Sequence, residues 1–226
     1  MRPEEVVERF YVAIAREAPH VQPPGTVSVT SLCFPCARRS VIELLTGGER
    51  AMDPASLIRV WVGKMCHQTR VLGAGAEKEL ELQWEGIYGR VDEYDPATGT
   101  LLDIKTTRSV PQSPREHHVR QVEYYAVLLA KSGRPVGEAF ILYADVDSAY
   151  VKVYPVPLRP LEEVEREMLE KKNRILECAR AGVLPPREVS FWEEGGRRTV
   201  CEYCGVTSLC LASDLTLVRG ARWGEE

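Results

Sequence analysis

Asparagine occurs once in the 226 residues, at Asn173, and glutamine is scarce. Depletion of these thermolabile amides beside a charged share of 27% is the composition expected of a thermophile. Long apolar runs are absent too. The longest, such as AVLLA at 126–130, fall far short of the roughly 20 residues that span a bilayer, so no membrane partner is expected. MRPEEVVERF has acids where a signal peptide carries an apolar stretch, and the chain is read as cytoplasmic. Nor is there an excess of positive charge. A net charge of −4 excludes global attraction to nucleic acid and leaves a local basic groove as the route to a polyanion. Arginine far outnumbers lysine, which suits bidentate phosphate contacts, although a GC-rich genome produces the same bias.

Cysteine, by contrast, is plentiful: there are seven. In a chain read as cytoplasmic they favour metal or redox chemistry over disulfides. Disulfides, which hyperthermophiles also use inside cells, stand as the alternative, and an odd number cannot all pair.

Periodicity supplies the architecture. Residues 3–18 place Val6, Val7, Phe10, Tyr11 and Ile14 at helical spacing. A second helix is expected over about 30–45, and a third from Asp53-Pro54, a capping carboxylate followed by proline, to about Val71. The period then changes to two. ELELQW, IYGRVDEY and TLLDIKT read as three consecutive strands. REHHVRQVEYYAVLLAKSG is a helix closed by Gly133, EAFILYADV and AYVKVYPV are two more strands, and LEEVEREMLEKKNRILECARAG is a long amphipathic helix. The tail from PPREVSF onward reads as irregular. This order implies a mixed central β-sheet flanked by helices, class α/β.

The middle of the chain, GRVDEYDPATGTLLDIKTT, is where chemistry concentrates. Asp103 and Lys105 are two apart on a strand and share a face, with Ile104 pointing the other way. A hairpin would bring Asp92 beside Asp103. Two converging carboxylates form a hard oxygen site suited to Mg²⁺ or Mn²⁺. A lysine there makes sense if an anion, such as a scissile phosphate or a metal-activated hydroxide, binds as well. Read alone, Asp92 and Asp95 serve equally as turn carboxylates and Lys105 as a solvated strand-end charge. His67, on the preceding helix, offers an imidazole to the same metal. Gln121 and Tyr125, four apart, share a helix face, and Thr106 and Thr107 add hydroxyls.

Gly89 to Asp92 (GxVD), Asp103 to Lys105 (DIK) and Gln121 to Tyr125 (QxxxY), preceded by His67, together resemble the RecB-type branch of the PD-(D/E)xK nucleases. With an upstream cysteine and CxxCxxxxxC downstream, the pattern over about 28–212 resembles the CRISPR-associated iron–sulfur exonuclease, the "Cas-four" family. The resemblance implies a restriction-endonuclease-like core and a metal-dependent exonuclease acting on single-stranded DNA. It implies the CRISPR adaptation integrase as a partner, with the oligomeric state left open. It also implies that His67, Asp92, Asp103 and the Ile104 carbonyl hold Mg²⁺ or Mn²⁺. Lys105 would assist the attacking water, and Gln121 and Tyr125 would position substrate and lysine. Asp103 stands where many relatives carry glutamate, a shorter arm with the same ligand type. On this reading residues 1–185 are the nuclease core with its N-terminal helices, and 186–226 complete a cluster lobe with residues near 28–45.

For the cysteines two readings stand. On spacing alone, Cys33, Cys36, Cys201 and Cys204 spell a structural zinc site. Within the resemblance, Cys201, Cys204 and Cys210 plus one upstream cysteine hold a [4Fe-4S] or [2Fe-2S] cluster. Pro35 suits the first turn of a helix and would put Cys36, followed by Arg38 and Arg39, where amides and helix dipole favour a thiolate. Cys36 is therefore expected to be the fourth ligand, rather than Cys33. Cys66 and Cys178 are expected to be buried packing residues. Other functions consistent with the sequence are a nuclease subunit of a recombination or repair complex, and a non-catalytic zinc-stapled DNA-binding or adaptor protein.

Overall fold

The computed structural model describes residues 2–17, 23–47, 54–187, 201 and 204–218. The chain divides into two compact units, one of Met1–Cys33 and Met52–Leu169, the other of Phe34–Ala51 and Glu170–Glu226.

The first unit is built on a six-stranded mixed sheet. β1 (Val27–Ser28), β2 (Glu77–Trp84), β3 (Ile87–Asp95), β4 (Thr100–Thr107), β5 (Glu138–Asp145) and β6 (Val151–Pro155) include the five strands expected from the sequence. The two-residue β1 carries too little pattern to be read in advance. β2 and β3 form a hairpin closed by Glu85 (φ 49) and Gly86 (φ 73), two left-handed residues whose twist matches the strands they join. β2 pairs with β3 along its whole length, from Glu77 with Tyr94 to Trp84 with Ile87. On the opposite edge of β3, β1 runs parallel to its start and β4 antiparallel to its end, from Glu93 with Leu102 to Asp95 with Thr100. Between these two ladders lies a fork where β4 leaves β3. β4 then pairs in parallel with β5 across the α5 (Glu116–Lys131) connection, and β6 is the outer edge.

Helices α1 (Pro3–Glu17), α2 (Val29–Cys33), α4 (Pro54–His67) and α5 belong to this unit. Gly89 shows how closely they pack. A Cβ there would lie 2.7 Å from Leu128 Cδ1, 3.1 Å from Tyr125 Cε1 and 3.1 Å from Val29 Cγ2, so only glycine lets α2 and α5 approach β3. The helix expected over about 30–45 is in fact two. α2 ends at Cys33 and α3 (Ala37–Leu45) begins after Cys36, because Pro35 lacks the amide that would continue a helix. α4 stops at His67 instead of running to Val71. The amides of Val71 and Leu72 go to the fully buried Glu93 carboxylate at 2.7–3.0 Å, not to helix carbonyls. α6 (Leu161–Arg180) begins in the first unit and ends in the second.

The second unit holds α3, the end of α6 and α7 (Thr207–Val218). α7 corrects the expectation of an irregular tail for its residues, while 188–200 lie outside the described residues. Cys66 and Cys178 are half-buried, not fully buried, so neither is a core packing residue. No helix among the described residues is long and apolar enough to cross a membrane.

Candidate active site

The fork in the sheet positions the site. Past the last ladder pair of β3 and β4, the next residues along are Asp92 and Asp103. The Ile104 amide donates to Asp92 Oδ2 at 2.6 Å, so a carboxylate accepts the bond that a strand carbonyl would otherwise take. The other oxygen, Asp92 Oδ1, is 3.0 Å from His67 Nδ1 at the end of α4. Lys105 Nζ is 2.8 Å from each oxygen of Asp103. Only Oδ1 meets it with hydrogen-bond geometry, so Oδ2, in a side chain 1% exposed, is buried without a hydrogen bond. Gln121 Nε2 donates to Tyr125 Oη at 2.8 Å and reaches Thr30 Oγ1 at 3.5 Å. Gln121 and Tyr125 are thus bonded to each other, not to Lys105, among the described contacts.

Charge at this site is strongly perturbed. Burial opposes the His67 imidazolium, yet its bond to Asp92 and the nearby Glu79 carboxylate prevail and push its pKa up to about 9. Burial also opposes the Asp92 anion, but His67, Lys105 and the Ile104 amide hold its pKa down. For Asp103, burial outweighs the attraction of Lys105, and with the Asp92 charge nearby its pKa rises to about 6. Burial would discharge Lys105, and the two aspartates keep it a cation, with its pKa raised. Burial and the same two carboxylates lift the Tyr125 phenol well above its ordinary value. One imidazole and a set of buried carboxylates, one with an oxygen unmatched by any hydrogen bond, are hard donors that fit a divalent Mg²⁺ or Mn²⁺ ion.

Two acids at this site escaped the sequence reading. Glu93 clamps the segment that follows His67, as described above. Glu79 on β2 has Oε1 3.5 Å from His67 Nδ1 and Oε2 2.9 Å from Arg90 Nη1. His67, Glu79 and Asp92 each offer a ligand atom within 4.8 Å of the others. The hairpin was the signal: a two-residue turn at Glu85-Gly86 fixes a register that sets Glu79 across from Asp92.

In the second unit, Cys36, Cys201, Cys204 and Cys210 line one apolar pocket with Phe34 and Val206, whereas Cys33 ends α2 and is not among the lining residues. Cys36 is the N-cap of α3 with extended backbone. Arg38, 5% exposed, donates Nε to Cys210 Sγ at 3.2 Å, Nη1 to the Pro185 carbonyl at 3.1 Å and Nη2 to Ser213 Oγ at 3.3 Å. Burial, and after it the neighbouring sulfurs of Cys204, Cys36 and Cys210, raises the Cys201 pKa against the opposing pull of Arg187. Four converging thiols are soft donors that fit Fe–S or zinc.

The chain belongs to the PD-(D/E)XK nuclease superfamily, whose family model matches residues 8–211. Enzymes of this superfamily use divalent metals, which agrees with the hard donor set around Asp92. Among solved structures, the chain is similar to SSO0001, with 22% identity, a TM-score of 0.57, and coverage of 90% of this chain and 96% of that one. It is also similar to a putative exonuclease from Eubacterium rectale, with 12% identity, a TM-score of 0.52, and coverage of 96% and 94%. An alkaline exonuclease from Laribacter hongkongensis aligns at 15% identity and a TM-score of 0.46, over 77% and 97%. At these identities the likeness is one of fold. No curated protein matches the chain.

Proposed function

We propose that the protein is a metal-dependent single-stranded DNA exonuclease with a structural Fe–S cluster, processing DNA ends for CRISPR spacer acquisition. The observation that carries the nuclease reading is the buried Asp103 oxygen without a hydrogen bond, set beside Asp92, His67 and Lys105 in a chain of nuclease fold. His67, Asp92, Asp103 and the Ile104 carbonyl would hold Mg²⁺ or Mn²⁺. Such an ion polarises the scissile phosphate and lowers the pKa of the attacking water. Lys105, kept cationic between two aspartates, orients that water and meets the negative charge that builds on the phosphate. Tyr125 and Gln121, hydrogen-bonded to each other, would position the substrate.

The cluster reading rests on the four thiols of the second unit, with Cys36 as the upstream ligand. The CRISPR role, and the adaptation integrase as partner, rest on the order and spacing of motifs along the chain. The cluster and the nuclease metal are separate sites. The test uses full-length protein purified without oxygen and an end-labelled single-stranded DNA. Cleavage is expected with Mn²⁺ and not in EDTA, and Asp92→Ala, Asp103→Ala and Lys105→Ala each abolish it while the visible absorption stays. Full activity in Asp103→Ala would sink the mechanism. Iron per chain separates the cysteines: Cys36→Ser is expected to lose most of it and Cys33→Ser to keep it. Stoichiometric zinc in the wild type would replace the cluster with a zinc staple.

A further inference from the structure

Glu79 lies outside the ligand set that the motifs define, yet it stands in the same cluster. The pairs on either side of it, Lys78 with Glu93 and Leu80 with Val91, set it opposite Asp92. Its backbone is left-handed, with φ 47, a conformation that a non-glycine residue adopts only where its surroundings impose it. Its carboxylate is divided between two cations. Oε2 is taken by Arg90. Oε1 is buried with no hydrogen-bond partner and faces His67 Nδ1 at 3.5 Å. Ligand atoms on one octahedral ion at about 2.1 Å lie roughly 3.0 Å apart when adjacent and 4.2 Å when opposite. The His67, Glu79 and Asp92 donors all lie within 4.8 Å of one another, and the 3.5 Å and 3.0 Å separations of His67 Nδ1 from Glu79 Oε1 and Asp92 Oδ1 are close to those of adjacent ligands.

Resting on the metal-nuclease reading above, we propose that Glu79 is a further protein ligand to the divalent cation, and that Arg90 competes with that cation for its carboxylate. In the absence of the ion, Arg90 holds Oε2 and prevents the site from carrying an uncompensated charge. When the ion binds, Oε1, which has no hydrogen bond, becomes a ligand and the contact with Arg90 weakens. A plain cross-strand ion pair between Glu79 and Arg90 would leave cation affinity nearly indifferent to either residue's partner. The competition makes the two residues act in opposite directions, and each effect depends on the other.

The experiment is a Mn²⁺ titration of the DNA-free, full-length protein, followed by calorimetry and by the EPR signal of free Mn²⁺. It compares wild type, Asp92→Asn, Glu79→Gln, Glu79→Asn, Arg90→Gln and the double variant Glu79→Gln/Arg90→Gln. Asparagine is included because it tolerates the left-handed backbone, so a folding defect in Glu79→Gln does not decide the matter. Circular dichroism checks that each variant is folded. Both Glu79 variants are expected to bind Mn²⁺ about tenfold or more weakly. Arg90→Gln is expected to bind more tightly than wild type, and that gain disappears in the double variant. Wild-type affinity in folded Glu79→Asn overturns the proposal, as does an Arg90→Gln gain of equal size in both backgrounds. If wild type binds Mn²⁺ no better than Asp92→Asn, the metal site itself is wrong and this inference falls with it.

Discussion

His67 is the residue at which position, charge and site meet. It is the last residue of α4, and its bond to Asp92 ties that helix to the sheet. Because its folded pKa lies near 9 against about 6.5 for an unfolded histidine, the native state holds the proton more tightly. Its contribution to stability is therefore complete below about pH 6.5 and is lost as the pH climbs through about 9. The expected result, in EDTA, is a stability gap between wild type and His67→Ala that is steady near pH 6 and narrows toward pH 10. Chemical denaturation across that range measures it, and a gap that widens with pH contradicts the assignment of the charge. Glu93 completes the arrangement from beneath. Its carboxylate fixes Val71 and Leu72, so the helix ends where His67 can meet Asp92.

At the scale of elements, the close approach of α2 and α5 to β3 depends on Gly89. A methyl group there meets Leu128, Tyr125 and Val29 in a buried layer. Gly89→Ala is expected to cost about 1–3 kcal/mol through overpacking. The same shift displaces Tyr125 from Gln121, so DNA cleavage falls as well. A thermal melt and a cleavage rate measured together check this, and an unchanged melt would show that the layer gives way freely. Much of this scale was legible in advance. Period-two runs mark β2 to β6 apart from exact ends, and Gly133 and Gly182 take the left-handed conformation at the ends of α5 and α6. The spacing of Asp103 and Lys105 and the hairpin to Asp92 foretold their convergence. What escaped depends on contacts distant in sequence. The end of α4 is set by a carboxylate more than 20 residues away. α7 packs on α3, and its sequence, TSLCLASDLTLV, spreads polar and apolar residues around every side and so carries little periodicity to betray it. Glu79 escaped because a glutamate in an alternating strand reads as solvent-facing until the register is worked out.

Among the described residues of the whole molecule, several charged side chains join into networks beside simple pairs such as Lys131 with Glu165. Arg159 reaches Glu123, Glu163 and Glu167, and Arg120 reaches Glu116 and Glu167. Tyr124 donates to Glu167 at 2.9 Å. Such networks matter more as temperature rises, because desolvating the ions then costs less. With the near absence of asparagine, they lead us to expect a melting temperature above the 45–65 °C or so of mesophile domains. Calorimetry on anaerobically purified protein tests this, and a transition inside that range would contradict it.

The fork between β3 and β4 gives one backbone amide an uncommon duty. Ile104 N–H ends on a side chain instead of a neighbouring strand, so its exchange with deuterated solvent is governed by whether Asp92 keeps still. Exchange at that single amide therefore becomes a clock for the site, one that runs without nucleic acid and without turnover. Anything that seizes Asp92 resets it, while the ladder amides on either side keep their own time.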